Sequence, residues 1–527
     1  MKVKRLEKGE GAREKIKKGI DLVADYTKIT LGPKGRNVAL KQLGPLPTRV
    51  VNDGVTIAKE VKSEDPYIQS GVEMVQEICN KTNDNAGDGT TQTALLAQAI
   101  INEGNKRLVS GYNPIDLKHE LEEDCAAILE ELTKMAIPVK DTQTIRRLAT
   151  ISGNNDEVIG DAVGEIMDKV GLKASIIIER GNTENIRVES VRGIYFERGF
   201  DNRVAFINNF QKALAEYEEP NIFLINEDLN WNDEIVEFME QCVKNDFKKM
   251  VFIARNINGE ALETMALSHK AKYEGNVEMG GINVLAIEAP VAQREDFFSD
   301  LSIYTGAKVV KKLISVNPSD IVGSCEKLVC SSKTTTIVKG RGKEEDVNKR
   351  IQEIKGQIEQ LDSAEKTTRE NFEKRLDTLE SGVGIIYSGG KTEIEIKDRF
   401  LRLEDAVRAS KSAVKEGYVA GGGFTYLLLS KLAKTEILAN SLKEVLKQVA
   451  LNAGKSPDSI LEKCLELNLG YNAKTDQFEN LIETGVIDAA LVLKNALQNA
   501  VSLATLFLTT EAIICEEEVE RKLDFNK

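Results

Sequence analysis

The spacing of apolar residues changes character twice along this chain, and that change limits it to helical ends around an α/β centre. From Ala12 to about Ile29, and from Val72 to Lys134, apolar residues recur every three or four positions with few β-branched clusters, the pattern of amphipathic helix. Between roughly 172 and 340, short β-rich runs take over at Ser175–Ile178, Asn221–Ile225, Met250–Ala254 and Val284–Ile287, and helical stretches at 233–244 and 260–272 separate some of them. Val347, Ile351, Ile354, Ile358 and Leu361 then hold helical spacing, followed after Ser363 by Phe372, Leu376 and Leu379. This predicts a helical hairpin packed on its own domain, because the seam is shorter than the three or four heptads of an interchain coiled coil. Beyond Gly384–Tyr387 the pattern is helical to about Thr510, apart from Gly421-Gly422-Gly423 and a loop near 470. A chain of 527 residues exceeds the roughly 250–300 at which one core stops growing, so the two helical ends are expected to fold together with the middle inserted.

Composition removes several classes of partner. The 71 basic and 84 acidic residues leave a formal charge of -13, which repels nucleic-acid phosphates and anionic lipid. The 7 cysteines include no Cys-x-x-Cys, and their odd number speaks against a disulfide framework and for a reducing, cytoplasmic setting. The start, Met1-Lys2-Val3-Lys4-Arg5, leads into more charge with no apolar signal core, and the apolar run Val501–Leu508 is too short to span a bilayer. Neither export, membrane insertion nor nucleic-acid binding is expected.

Phosphate chemistry has two false leads and one credible one. Gly389-Gly390-Lys391-Thr392 and Gly454-Lys455-Ser456 both lack the glycine that a P-loop needs five residues before its Gly-Lys, so both read as turns. Asn85-Ala86-Gly87-Asp88-Gly89-Thr90-Thr91-Gln92-Thr93 instead runs straight into the apolar Ala94-Leu95-Leu96-Ala97. A glycine-rich turn opening a helix offers unpaired amides to an anion, threonine hydroxyls add donors, and Asp88 can hold Mg2+; the same residues also make an ordinary turn with an N-cap. Thr30-Leu31-Gly32-Pro33-Lys34-Gly35, Asn52-Asp53-Gly54, Leu403-Glu404-Asp405-Ala406, Gly421-Gly422-Gly423, Tyr471-Asn472-Ala473 and Asp488 are each unremarkable alone.

Taken in order, TLGPKGRNV, NDGVTIAKE, AGDGTT, ATISGNNDEVIG, LEDAVRASKSAVKEGYVAGGG, GYNA and ETGVIDAA resemble the group I chaperonins, the GroEL family, across nearly the whole chain. The resemblance implies a helical equatorial domain at 1–134 and 416–527, a small intermediate hinge domain at 135–191 and 384–415, and an inserted α/β apical domain at 192–383. It further implies an ATP-dependent folding chaperone that forms a heptameric ring or stacked rings with itself and takes a GroES-type co-chaperonin and non-native polypeptides as partners. ATP and Mg2+ would be bound, with K+ as a further cation. Thr30, Leu31, Gly32, Pro33, Asn52, Asp88, Gly89, Thr90, Thr91, Gln92, Ile151, Ser152, Gly422, Asn472, Ala473, Lys474 and Asp488 would surround the nucleotide, with Asp88 on the metal. Asp53 and Asp405 would orient or deprotonate the attacking water. Phe200, Val204, Phe206, Leu262 and Leu267 would offer apolar contacts to unfolded chains.

Some positions depart from the family pattern. Asn52 stands where lysine is frequent, Gln92 replaces a threonine and Lys474 an alanine. The aromatic capture segment reads Gly199-Phe200-Asp201-Asn202-Arg203-Val204-Ala205-Phe206, and Glu237 and Glu240 take the place of exposed leucines unless the register shifts to Phe238 or Met239. The chain ends in a charged stretch from Glu516 to Lys527, expected to be solvated. A divergent paralogue serving as a binding or scaffold protein is the alternative that these departures favour.

Overall fold

The structure, a computed structural model, describes residues 2–41, 48–172, 174–181, 183–200, 204–209, 213–273, 282–291, 294–314, 316–360, 366–380 and 382–518. Two compact units divide the chain. The first comprises Met1–Glu165, Ile178–Arg187 and Tyr387–Lys527, and the second Ile166–Ile177 and Val188–Ile386.

Helices build most of the first unit. Gly9–Lys28 buries Ala12, Ile16, Ile20, Val23, Ala24 and Thr27, the stripe its spacing predicted. The periodic stretch from Val72 to Lys134 is three helices, Pro66–Ala86, Thr90–Val109 and Pro114–Met135. Left-handed Gly87 and Gly89 end the first and start the second, while Asn113 caps the third by accepting from Ile115 N, with Pro114 in its first turn. Against these packs Ala490–Thr509, which is long and apolar enough by composition to cross a membrane, but 67% of its apolar window is buried inside the protein.

The chain ends meet within this unit. Strand Lys2–Lys8 pairs antiparallel with Ala512–Glu518, in a register that sets Lys2 opposite Glu518 and Lys8 opposite Ala512. Glu516–Glu518 therefore belong to a strand; the rest of the charged stretch, residues 519–527, lies outside the described residues. Both P-loop decoys are turns. Thr392 accepts from Glu395 N at 3.2 Å to cap helix Glu393–Glu416, and Gly454 to Ser456 links helices Glu444–Asn452 and Pro457–Leu467.

In the second unit, strands Asn221–Leu229, Lys249–Ile257 and Asn283–Glu288 run parallel, connected through helices Asn232–Lys244 and Gly259–Tyr273. Their near-continuous apolar runs suit a sheet covered on both faces. Antiparallel strands Gly323–Cys330, Thr335–Gly340 and Arg187–Phe196 extend the sheet. The hairpin of helices Glu344–Gln360 and Lys366–Glu380 sends Val347, Ile351 and Ile354 into this unit's own core. Asp300 fixes it, accepting from Arg375 Nε at 2.9 Å and from Arg350 Nε at 2.8 Å.

The apolar residues proposed to capture substrate fare differently here. Phe200, Phe206 and Leu262 are 3%, 0% and 7% exposed and lie in the core cluster, whereas Leu267 is 60% exposed. Large apolar side chains gain roughly 1.5–3 kcal/mol each by burial, which explains their inward placement. Phe238 and Met239 are also buried while Glu237 and Glu240 face outward, so that helix presents carboxylates. Residues 201–203 and the side chain of Val204 lie outside the described residues. All 7 cysteines are free and buried.

Candidate functional site

Within the first unit, many separate stretches of chain converge on one cavity of about 700 Å³. The turn Thr30–Pro33 follows the first helix, and the Asn452 amide donates to the Lys28 and Leu31 carbonyls at 3.0 and 2.9 Å, which ties the turn to a helix more than four hundred residues away in sequence. Asp53 caps helix Gly54–Glu60, accepting from Val55 N at 3.1 Å, Thr56 N at 2.9 Å and Thr56 Oγ1 at 2.6 Å. Glycine at the next position leaves room for Thr91, whose Oγ1 would lie 2.3 Å from a Cβ on Gly54 and would have to shift. Helix Thr90–Val109 begins behind left-handed Gly89 with no side-chain cap, so its first-turn amides and positive dipole end face the cavity. Asp88 accepts from Gly89 N at 2.5 Å and from Ser152 Oγ at 2.9 Å.

The far end of the chain supplies the remaining walls. Helix Glu393–Glu416 contributes Asp398, Leu401, Arg402 and Asp405, spaced to share one face. Gly422 follows strand Tyr418–Ala420, whose Val419 pairs with Asp488. Asn472, Ala473 and Lys474 come from the hairpin Gly470–Asn472 with Gln477–Glu479. Every residue that the resemblance named around a nucleotide lines this cavity: Thr30, Leu31, Gly32, Pro33, Asn52, Asp88, Gly89, Thr90, Thr91, Gln92, Ile151, Ser152, Gly422, Asn472, Ala473, Lys474 and Asp488, together with Asp53 and Asp405. Sequence reasoning missed Asp398, Arg402, Arg146, Arg147 and Asn452. Helical spacing back from Asp405 by three and seven residues would have found Arg402 and Asp398; nothing local marked Asn452.

The site is strongly acidic. Burial raises the Asp88 carboxyl above its usual range, with Gly89 and Ser152 pulling it back and Asp53 adding to the rise. Asp405 is pushed well up by burial, then by Asp53 and Asp88, against the nearby Arg408. Asp488 rises to about 7 through burial and Asp88. These carboxyls hold more protons folded than unfolded between their ordinary and shifted values, so stability falls as pH rises through that window. For Asp488 the window runs from 3.8 to about 7. The unfolding midpoint of the ligand-free protein should therefore drop between about pH 4 and pH 7, and Asp488→Asn should flatten the slope. Scanning fluorimetry across that range checks both.

Crowded carboxylates call for a cation, and the helix start calls for an anion. Thr90 Oγ1 and Gln92 Oε1 are buried with no partner in the protein, which fits a polar ligand completing them. Among the described residues no group of three His, Cys, Asp or Glu side chains forms a metal cage. A cation held by one or two carboxylates plus ligand oxygens and water is the manner of Mg2+. The site thus suits a phosphate paired with a divalent cation.

A mostly helical unit built from both chain ends around such a cleft, with a second α/β unit inserted between them, is the architecture of GroEL-type chaperonins. The chain belongs to the TCP-1/cpn60 chaperonin family, whose sequence profile matches residues 23–518. Among solved structures it is similar to the chaperonin gp146 of bacteriophage EL 2 (Pseudomonas aeruginosa) in presence of ATP-BeFx. Crystal form II gives a TM-score of 0.68 at 21% identity, covering 97% of this chain and 99% of that one. Crystal form I gives 0.59 at 20% identity with the same coverage. At such identities the likeness concerns the fold.

Proposed function

We propose that this chaperonin binds Mg-ATP in the cleft, hydrolyses it, and uses the cycle to assist the folding of non-native proteins within a cytoplasmic ring of its own copies, closed by a GroES-type partner. The observation that carries the reading is the convergence on one cavity of residues drawn from both ends of the chain, around buried hydroxyl and amide oxygens that lack a partner. Thr90, Thr91 and the helix-start amides would receive the phosphates, and Asp88 would hold Mg2+, which neutralises phosphate charge when bound. Asp53 and Asp405 would orient and deprotonate the attacking water, and the raised pKa of the buried Asp405 carboxyl suits it better to act as a base near neutral pH. Asn472, Ala473 and Asp488 would enclose the base and ribose.

A second reading, a chaperonin relative that acts as a binding or scaffold protein, draws on the inward Phe200, Phe206 and Leu262 and on the outward Glu237 and Glu240. Native mass measurement with and without Mg-ATP, followed by refolding of a denatured client with a GroES-type lid, separates the two. Ring mass with lid-dependent refolding is the expected result. A persistent monomer without ATP turnover would establish the scaffold reading instead.

A further inference from the structure

The segment 142–157 forms one wall of the cleft, and three polar links fasten it to the floor. Innermost, Ser152 Oγ donates to Asp88 Oδ2 at 2.9 Å. Arg147 Nη1 reaches the Glu483 carbonyl at 3.5 Å, at the long limit of a hydrogen bond. The third joins Lys474 Nζ to Glu157 Oε1 at 3.7 Å, with side chains 54% and 80% exposed, and both residues line the cavity. We propose that this third pair is a latch across the cleft mouth that slows nucleotide release, a role that rests on the nucleotide reading above.

Two features support the assignment. First, the Lys474 backbone is fixed, since its amide donates to Asn472 Oδ1 at 2.9 Å while Asn472 Nδ2 donates to Glu479 Oε1 at 2.6 Å across the hairpin. The lysine stem therefore projects from a rigid base toward Glu157, which opens helix Glu157–Val170. Second, the inner link depends on Asp88, the carboxylate that a cation would claim. A cation held by Asp88 would compete with the Ser152 hydroxyl for the carboxylate, and the wall would then lean more on its outer fastenings. The Lys474–Glu157 pair uses none of the phosphate- and cation-binding groups assigned to Thr90, Thr91 and Asp88, so filling that end of the cleft leaves it in place.

The pair is exposed, hence weak and screened by salt, and this sets the size of the effect. Dissociation of N-methylanthraniloyl-ADP, followed by stopped-flow displacement with unlabelled ADP, should be about 1.5- to 5-fold faster in Lys474→Ala than in the unmodified chain at low salt. Glu157→Lys should act likewise, the double exchange Lys474→Glu/Glu157→Lys should restore the slow rate, and the differences should shrink markedly at about 1 M salt, where the Debye length of about 3 Å falls below the pair's separation. An unchanged rate in Lys474→Ala, a change that survives high salt, or a double exchange that restores nothing would overturn the latch. Failure of the unmodified protein to bind the fluorescent nucleotide would overturn the nucleotide reading itself, a distinct result.

Discussion

Asp405→Ala should bind Mg-ATP and hydrolyse it about 10²- to 10⁴-fold more slowly, the range lost when a positioned general base is removed. The side chain sits on the cleft face of helix Glu393–Glu416, and burial with Asp53 and Asp88 nearby pushes its carboxyl well up. Alanine removes the proton acceptor and relieves that crowding, so nucleotide affinity should hold steady while turnover collapses. Single-turnover hydrolysis measured beside equilibrium titration gives the two numbers separately. Equal loss of both would make Asp405 a binding residue, and unchanged turnover would remove it from the chemistry.

Asp88→Asn should have effects of opposite sign on stability and binding. The amide keeps its one oxygen for Gly89 N, which bonds Asp88 Oδ1 at 2.5 Å, while its NH2 donates to Ser152 Oγ, which now donates to Oδ2 at 2.9 Å, and the change removes a buried charge from beside Asp53. Without ligand the variant should melt at a higher temperature, because a desolvated carboxylate has been replaced by a neutral group. Mg-dependent nucleotide binding should weaken by roughly 30-fold or more, the lower end of what losing one member of a buried charge pair costs. Calorimetric titration with Mg-ATP and a ligand-free melt test the two signs. A fall in both would mark Asp88 as structural.

Much of this was legible before any coordinates. The amphipathic stripe of the first helix, the parallel apolar strands of the second unit and the helical hairpin at 344–380 follow from residue period alone. The cleft was legible only through the resemblance, since Asp53 and Asp88 each look like a turn residue, and Asp53 does in fact cap a helix. What stayed hidden depends on contacts between distant segments. Asn452 reaches back to the Lys28 and Leu31 carbonyls, and no local pattern announces such a bond. The inward turn of Phe200 and Phe206 was hidden for a similar reason, because an aromatic near a loop carries no mark of which side its ring will take.

The pairing of Lys2–Lys8 with Ala512–Glu518 also constrains how the chain is made. During synthesis, the second unit is complete by Ile386, and nearly all of it is one continuous segment able to collapse as it emerges. The first unit must wait. Its cleft lacks Asn472 and Asp488 until those residues are added, and its opening strand has no partner until Ala512–Glu518 follows. Such long-range closure is intrinsically slow and leaves the helices Gly9–Lys28 and Thr90–Val109 without their Ala490–Thr509 partner meanwhile. A nascent chain halted short of Ala490 would therefore carry a folded middle and two open, apolar ends, and would itself be a client for another chaperone.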